Sequence, residues 1–391
     1  MKTALGWGLA GLALVAVCYL GLCRALGLDL MAHSPYDSYS LQAMLWRSGE
    51  CSMPENRPWL ELAVYEGRYF ISFPPFPTVV MLPLTFLFGE NTPSQMVSFF
   101  CVLASYILGF FMARRHKTAP WLSACMAVVL VLGCNMCEFA LYGGVWNLAQ
   151  SLSFLFTMAA FFCIDSHTKP VAYAGLIFIA CAVGCRPFQA VYVPLLLYLA
   201  WKKLGLRGLI PAVIVPGLIA LAYAGYNYLR FDNFLQFGHD YLPEFAQQSE
   251  HGQFSLHYIV KNLRNILRMP WWENGRLTFP IANGFAFWLC NPLFVLFLCR
   301  FARSTVENHT RAAGWILLFS VLAHFFLLLM HKSFGGVQFG TRYLCDLIPA
   351  MYWYWSRPPK DRLAAVLSLP VMLWAVAFNV YGAWYFHVLV G

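Results

Sequence analysis

Apolar runs recur along the whole chain, parted by short polar connections and by two long ones. A membrane-crossing helix needs about 20 mostly apolar residues, because lipid offers the backbone no hydrogen-bond partner and a helix satisfies its own. Spans are predicted at 5–27, 96–113, 119–137, 147–164, 170–184, 188–201, 208–226, 283–299, 312–330, 343–355 and 364–386. This pattern describes an all-α, polytopic integral membrane protein with about eleven transmembrane helices. No charged or Ser/Gly-rich linker divides the runs, so residues 1–391 read as a single membrane domain.

The two long connections, 28–95 and 227–282, fall on the same side. With the N-terminus cytoplasmic, every cytoplasmic connection is short and basic: Arg114 to Lys117, Lys169, Lys202 with Lys203 and Arg207, Arg300 with Arg303 and Arg311, and Arg357 with Lys360 and Arg362. That is the distribution the positive-inside rule requires. It depends on the stretch 73–89, which is short for a crossing and carries four prolines. Proline removes a backbone donor and breaks the helix lipid demands, so the stretch reads as an outer interfacial or re-entrant segment, with a Pro-kinked span as the alternative. Interfacial helices are expected in the first outer loop, with Ser38 to Ser48 laying Leu41, Met44 and Leu45 on the headgroup boundary.

Composition agrees. The chain is 60% hydrophobic and only 11% charged, and a soluble fold carries roughly a quarter charged residues. The net charge of +9 is spread over short loops, which membrane topology explains and nucleic-acid binding does not. The thirteen cysteines lie mostly in apolar runs, where a thiol is a small hydrophobe, and no disulfide framework is implied. The ten histidines show no metal-ligand spacing, so no protein-built metal cage is predicted. No Walker, GxGxxG or GxSxG element occurs.

Chemistry is therefore sought on the outer side. Asp37 follows the first span. A carboxylate partly desolvated at an interface suits a general base, and the same residue suits an N-cap of the helix that follows. Arg186, in Cys185-Arg186-Pro187, offers a planar fork to a phosphate, or snorkels at a helix end. The run from His331 and Lys332 through Gly335, Gly336, Gln338 and Gly340 to Arg342 combines glycines with cations, which suits an anionic ligand. The alternative is a plain basic outer loop, although the positive-inside rule predicts fewer cations on that side. Asp346 is placed to pair with Arg342 at i, i+4. Glu138 is a possible second carboxylate or a solvated loop residue. Tyr226 and Arg230 lead into Phe237, His239 and Asp240, a set that fits either a headgroup belt or a sugar platform. Lys261, Arg264 and Arg268, at helical spacing, are expected to face lipid phosphates.

In order along the chain, Asp37, Gly67 to Pro77, Val145 to Gln150, Cys185-Arg186-Pro187, Tyr226 to Phe231 and Gln338 to Asp346 resemble the GT-C superfamily of membrane glycosyltransferases. The likeness is to the bacterial branch related to protein O-mannosyltransferases and aminoarabinose transferases. The resemblance implies an acidic residue of the first outer loop as base, here Asp37, and a donor sugar carried on a polyprenyl phosphate. It implies that arginines at outer helix ends, here Arg186 and Arg342, hold that phosphate, with Lys332 and His331 beside them. Glu138, Tyr226, Arg230, Gln338 and Asp346 would support the site. Many relatives pair two carboxylates in the first loop and carry a large C-terminal soluble domain. Here Asp37 is flanked by Tyr36 and Ser38 and no such domain follows the last span. Metal dependence is thereby left open, and acceptor recognition falls to the two long loops.

The expectation is a cell-membrane transferase moving a sugar from a lipid phosphate to a glycan, lipid or protein acceptor at the outer face. Two other readings stand beside it: a transporter or flippase of an anionic lipid or lipid-linked sugar, and a noncatalytic partner in an envelope complex. The transferase reading requires Asp37, Arg186 and Arg342 to share one cavity.

Overall fold

The structure is a computed structural model that describes residues 2–248, 250–303, 308–358 and 362–390; Lys360, expected in a basic loop, lies outside them. Helix α1 (Lys2–Ala25) buries Val15, Tyr19 and Leu22 at helical spacing and leaves Leu9, Leu14 and Val17 exposed. An apolar outer face of this kind is what lipid solvates.

The first long connection holds α2 (Ser38–Arg47), a hairpin of β1 (Leu62–Tyr65) and β2 (Arg68–Ile71), and α3 (Phe76–Phe88). Leu41 of α2 is buried against the protein instead of lying on a headgroup boundary. Helix α3 contains thirteen residues. At 1.5 Å per residue it is about 20 Å long, short of the roughly 30 Å hydrocarbon layer.

The bundle continues through α4 (Ser94–Arg115), α5 (Pro120–Leu132), the single turn α6 (Met136–Phe139), α7 (Val145–Ile164), α8 (Lys169–Cys185) and α9 (Val193–Phe231). Helix α9 is interrupted at Gly205 (φ 68°, ψ 174°), in the left-handed φ region that favours glycine. The chain reverses there. Lys203 bonds the carbonyls of Ile164 and Ser166 at the far end of α7, Gly208 lies beside Tyr173 at the start of α8, and Tyr223 has returned to Ala180 and Gly184.

The second long connection carries α10 (Pro243–Gln248), α11 (His257–Leu267) and a hairpin of β3 (Trp271–Glu273) and β4 (Arg276–Thr278). Helices α12 (Phe287–Cys290), α13 (Leu293–Arg303), α14 (Asn308–Met330), α15 (Ile348–Trp355) and α16 (Arg362–Val390) complete the fold.

Among the described residues, six helical stretches are long and apolar enough to cross a membrane, and three shorter apolar helices accompany them. Three expected spans take another form, the one at 188–201 opening as a 3-10 turn, Pro187–Tyr192, before α9. The one at 283–299 is divided between α12 and α13 at Asn291, because Pro292 lacks an amide proton and disfavours helical backbone in the residue before it. The one at 343–355 opens as a 3-10 turn, Arg342–Leu347, before α15. At the end of the bundle away from the long connections, Asp165 accepts from His116 (2.7 Å) and from the Trp353 indole (2.6 Å), tying α4, α7 and α15 together.

The glycine-rich connection after α14 is held by a pair of asparagines. Asn135 donates to the Phe339 carbonyl (2.8 Å), and Asn291 donates to Asn135 (2.8 Å). Gly340 sits between them at φ 67°, and a Cβ there would stand 2.5 Å from Asn135 Nδ2 and 2.6 Å from Cys290 Sγ. Gly340→Ala is expected to destabilise the protein by about 1–3 kcal/mol through backbone strain alone, read as a lower midpoint in thermal unfolding in detergent; an unchanged midpoint would contradict this packing.

Candidate functional site

Proline makes the first half of the site. Pro187 stops α8, so Arg186 leaves it with extended backbone (φ −144°, ψ 106°) and turns its side chain inward. Its Nε donates to Asp346 at 2.5 Å, and the second oxygen of Asp346 accepts from Gln150 at 3.0 Å. Asp346 was expected to pair with Arg342. The 3-10 turn prevents it: at three residues per turn, positions four apart no longer share a face. Arg342 instead donates its backbone N–H to Gln338 (2.8 Å) and Nη2 to the Gly335 carbonyl (3.3 Å), and its buried Nε has no partner. Both guanidinium groups stand beside the Tyr343 ring, at 4.9 and 5.3 Å from its centre.

Arg186, Arg342 and Tyr343 line a cavity of about 560 Å³ together with Trp146 of α7 and with Tyr39, Glu61, Phe73, Phe237, His239 and Asp240 from the two long connections, while Asp346, Gln150 and Gln338 stand behind the wall. Arg186, Arg342 and His331 are thus brought together. His331 is held by the Ser333 carbonyl (2.6 Å), and burial pushes its pKa down to about 4. At neutral pH it is an uncharged hydrogen-bonding group rather than a cation. Lys332 covers the Phe245 ring at 3.3 Å and donates to the Phe245 carbonyl, and burial lowers its pKa. Gln338 braces the turn, donating to Phe334 (2.6 Å) while accepting from Arg342.

Asp37 is not on the cavity wall. It is fully buried and caps α2, accepting from the backbone of Tyr39 (3.1 Å) and Ser40 (3.2 Å) and from the Ser40 hydroxyl (2.5 Å). Desolvation outweighs those bonds and raises its pKa to about 6. Tyr39, two residues on, does reach the cavity. Glu138 is also buried away from the cavity, with one oxygen unpartnered and its pKa pushed up to about 8 by burial. Tyr226 and Arg230 form a separate clamp. The Tyr226 hydroxyl accepts from Gln42 (2.7 Å) and Trp46 (3.2 Å), and Arg230 donates to Ile71 (2.6 Å) and Asn227 (2.9 Å), fixing the end of α9 to the first connection.

Glu61 is the carboxylate that sequence reasoning passed over. It precedes β1 with left-handed backbone (φ 52°), accepts from the Trp146 indole (3.1 Å), and faces the cavity. Burial raises its pKa, and Arg342 opposes that rise. Nothing in the sequence separates it from the other acidic residues of the loop; the β1–β2 hairpin alone aims it. His239 is set between Phe73 and Phe245 and bonds the Ser72 carbonyl (2.8 Å). Phe237, His239 and Asp240 therefore wall the cavity instead of forming a headgroup belt. Among the described residues no group of three or more His, Cys, Asp or Glu side chains is arranged to hold a metal ion.

Long apolar helices around a cavity make this a polytopic membrane protein, and its fold is shared with solved structures of other proteins. The structure of ArnT from Cupriavidus metallidurans bound to undecaprenyl phosphate is similar, with a TM-score of 0.53 and 13% identity over 90% of this chain and 59% of that one. The apo oligosaccharyltransferase of Archaeoglobus fulgidus aligns with a TM-score of 0.56 and 14% identity over 97% of this chain and 56% of its own. AglB from the same archaeon, in complex with an inhibitory peptide and a dolichol-phosphate, gives 0.53, 12%, 97% and 55%. The chain thus spans well under two thirds of these neighbours' length. No family model matches the sequence, and no curated protein is similar to it in sequence.

Asp346→Asn is expected to destabilise the fold by about 3–5 kcal/mol, because it leaves the Arg186 charge buried without its counter-ion; a thermal midpoint within error of the wild type would show that the pair is not structural. Asp37 carries a pH signature of opposite sign to an ordinary ion pair. Its folded pKa of about 6 exceeds the usual carboxylate value of about 3.9, so folding is penalised as pH rises from about 4 through 6, by roughly 3 kcal/mol in all. Asn caps a helix as well as Asp. Asp37→Asn should flatten that slope in denaturation curves across this window, and an unaltered slope would refute the assignment.

Proposed function

We propose that this protein is a glycosyltransferase that takes a sugar from a polyprenyl-phosphate donor and passes it to an acceptor at the outer face of the membrane. The observation that carries the reading is the pair of guanidinium groups on one cavity, Arg186 held by Asp346 and Arg342 with a buried, unpartnered Nε. A planar fork with free donors suits a phosphate oxygen. As the bond from the anomeric carbon to the phosphate oxygen breaks, that oxygen keeps the electron pair, and fixed cations stabilise the charge it gains. His331, on the wall, would support the donor, Lys332 is held on Phe245 off the wall, and the aromatic walls Phe73, Trp146 and Tyr343 suit the faces of a sugar ring.

The acceptor must lose a proton to a carboxylate as its new bond to the sugar forms. By its place after α1, and with a pKa raised toward neutrality, Asp37 is the proposed base. A specific observation favours a second assignment: Glu61, not Asp37, faces the cavity, and it lies within electrostatic reach of Arg342. Under that assignment Asp37 acts on the site only by capping α2 and so placing Tyr39. General-base catalysis typically contributes about 10²–10⁴-fold. Purified protein with a polyprenyl-phosphate sugar should lose about that factor in Asp37→Asn if Asp37 is the base, or in Glu61→Gln if Glu61 is. Undiminished turnover in both variants would reject both assignments.

A further inference from the structure

The second long connection presents a surface that the cavity does not use. Helix α11 has three faces. Tyr258, Asn262 and Ile266 are buried against the protein; Val260, Leu263 and Leu267 form an exposed apolar flank; His257, Lys261 and Arg264 form an exposed basic flank. The β3–β4 hairpin continues the apolar flank with Met269, Trp271 and Trp272, the last 74% exposed, and adds Arg276 to the cations. Glu273 is the acid of this hairpin and accepts from the Trp271 indole. Arg268, expected among the lipid-facing cations, is instead spent on the carbonyls of Ala282 and Gly284.

The depth of this surface is set by its attachment. Asn262 donates to the carbonyls of Leu329 (2.9 Å) and His331 (2.7 Å), and Ser255 donates to that of Met330 (2.9 Å), so α11 is fastened to the last turn of the membrane helix α14. A helix held at the end of a span, apolar on one flank and cationic on the other, has the arrangement of an in-plane interfacial helix, and tryptophan is enriched at that depth.

We propose that α11 and the β3–β4 hairpin seat in the headgroup layer of an anionic lipid leaflet, and that this seating holds the His331 wall of the cavity through Asn262. The partner is the anionic bilayer surface, chosen by charge: Lys261, Arg264 and Arg276 have no counter-ion among the described ion pairs. Its acyl boundary takes the leucine flank. The proposal concerns a surface outside the proposed reaction, and its test reads amide exchange, so it can fail or succeed without the transferase reading.

The test is hydrogen exchange on the full chain in nanodiscs of phosphatidylcholine alone and of equimolar phosphatidylcholine and phosphatidylglycerol. Each cation near an anionic surface is worth about fivefold. Residues 256–272 should therefore exchange up to about 25-fold more slowly in the anionic discs through Lys261 and Arg264, and 331–337 should follow in the same direction. Lys261→Gln with Arg264→Gln, both exposed and outside the core, should return the exchange to its phosphatidylcholine rate. Leu263→Ser with Leu267→Ser should raise it in both discs. Equal exchange of the wild type in the two discs overturns the proposal. So does protection that depends on protein concentration and accompanies cross-linked dimers, which would assign the face to a second copy of the chain.

Discussion

The contact between Arg186 and Asp346 is the constraint from which the cavity follows. Both groups are withdrawn from water at the end of a helical bundle, where each alone would be costly. Their geometry is therefore tightly specified. Gln150 on α7 gives Asp346 its second donor, and Gln189 bonds the Asp346 backbone carbonyl (3.2 Å). One ion pair so locks α7, the end of α8 and the 3-10 turn before α15 into a single arrangement. Because Asp346 is committed to Arg186, Arg342 is left on the cavity wall with a donor unspent. Arg186 is thus held by its counter-ion, and Arg342 keeps an unpartnered Nε.

Around that pair, the polypeptide uses irregular backbone wherever the cavity needs it. Proline stops α8 at Arg186, a 3-10 turn carries Arg342, and the glycine-rich connection is pinned by Asn135 and Asn291. Unpaired backbone at membrane depth is tolerated only when buried in protein or lining a cavity. Side-chain amides meet that demand repeatedly here, at Gln150, Gln338, Asn135 and Asn262. The neighbours share this chain's fold over nine tenths or more of its length at 12–14% identity. What is held in common is thus helix arrangement.

The two first-loop carboxylates show how position is translated into chemistry. Asp37 and Glu61 are both pushed upward in pKa by burial, yet one is enclosed by the first turn of α2 and the other faces the cavity. The difference arises from a helix cap in one case and a two-stranded hairpin in the other. Neither element is long, and each is stable only because the bundle supports it.

The sequence alone determined the membrane-embedded, mainly helical class. Hydropathy of bilayer length and the backbone's need for internal hydrogen bonds leave lipid-facing segments little choice. Proline after Arg186 and glycines before Arg342 likewise announce breaks in helix. Tertiary structure alone decided that Asp346 belongs to Arg186, that Asp37 is a cap, that Glu61 faces the cavity, and that Tyr226 and Arg230 form a clamp elsewhere. These depend on which turn of which helix faces which, and a shift from 3.6 to 3 residues per turn over Arg342–Leu347 was enough to redirect a carboxylate to a partner 160 positions away.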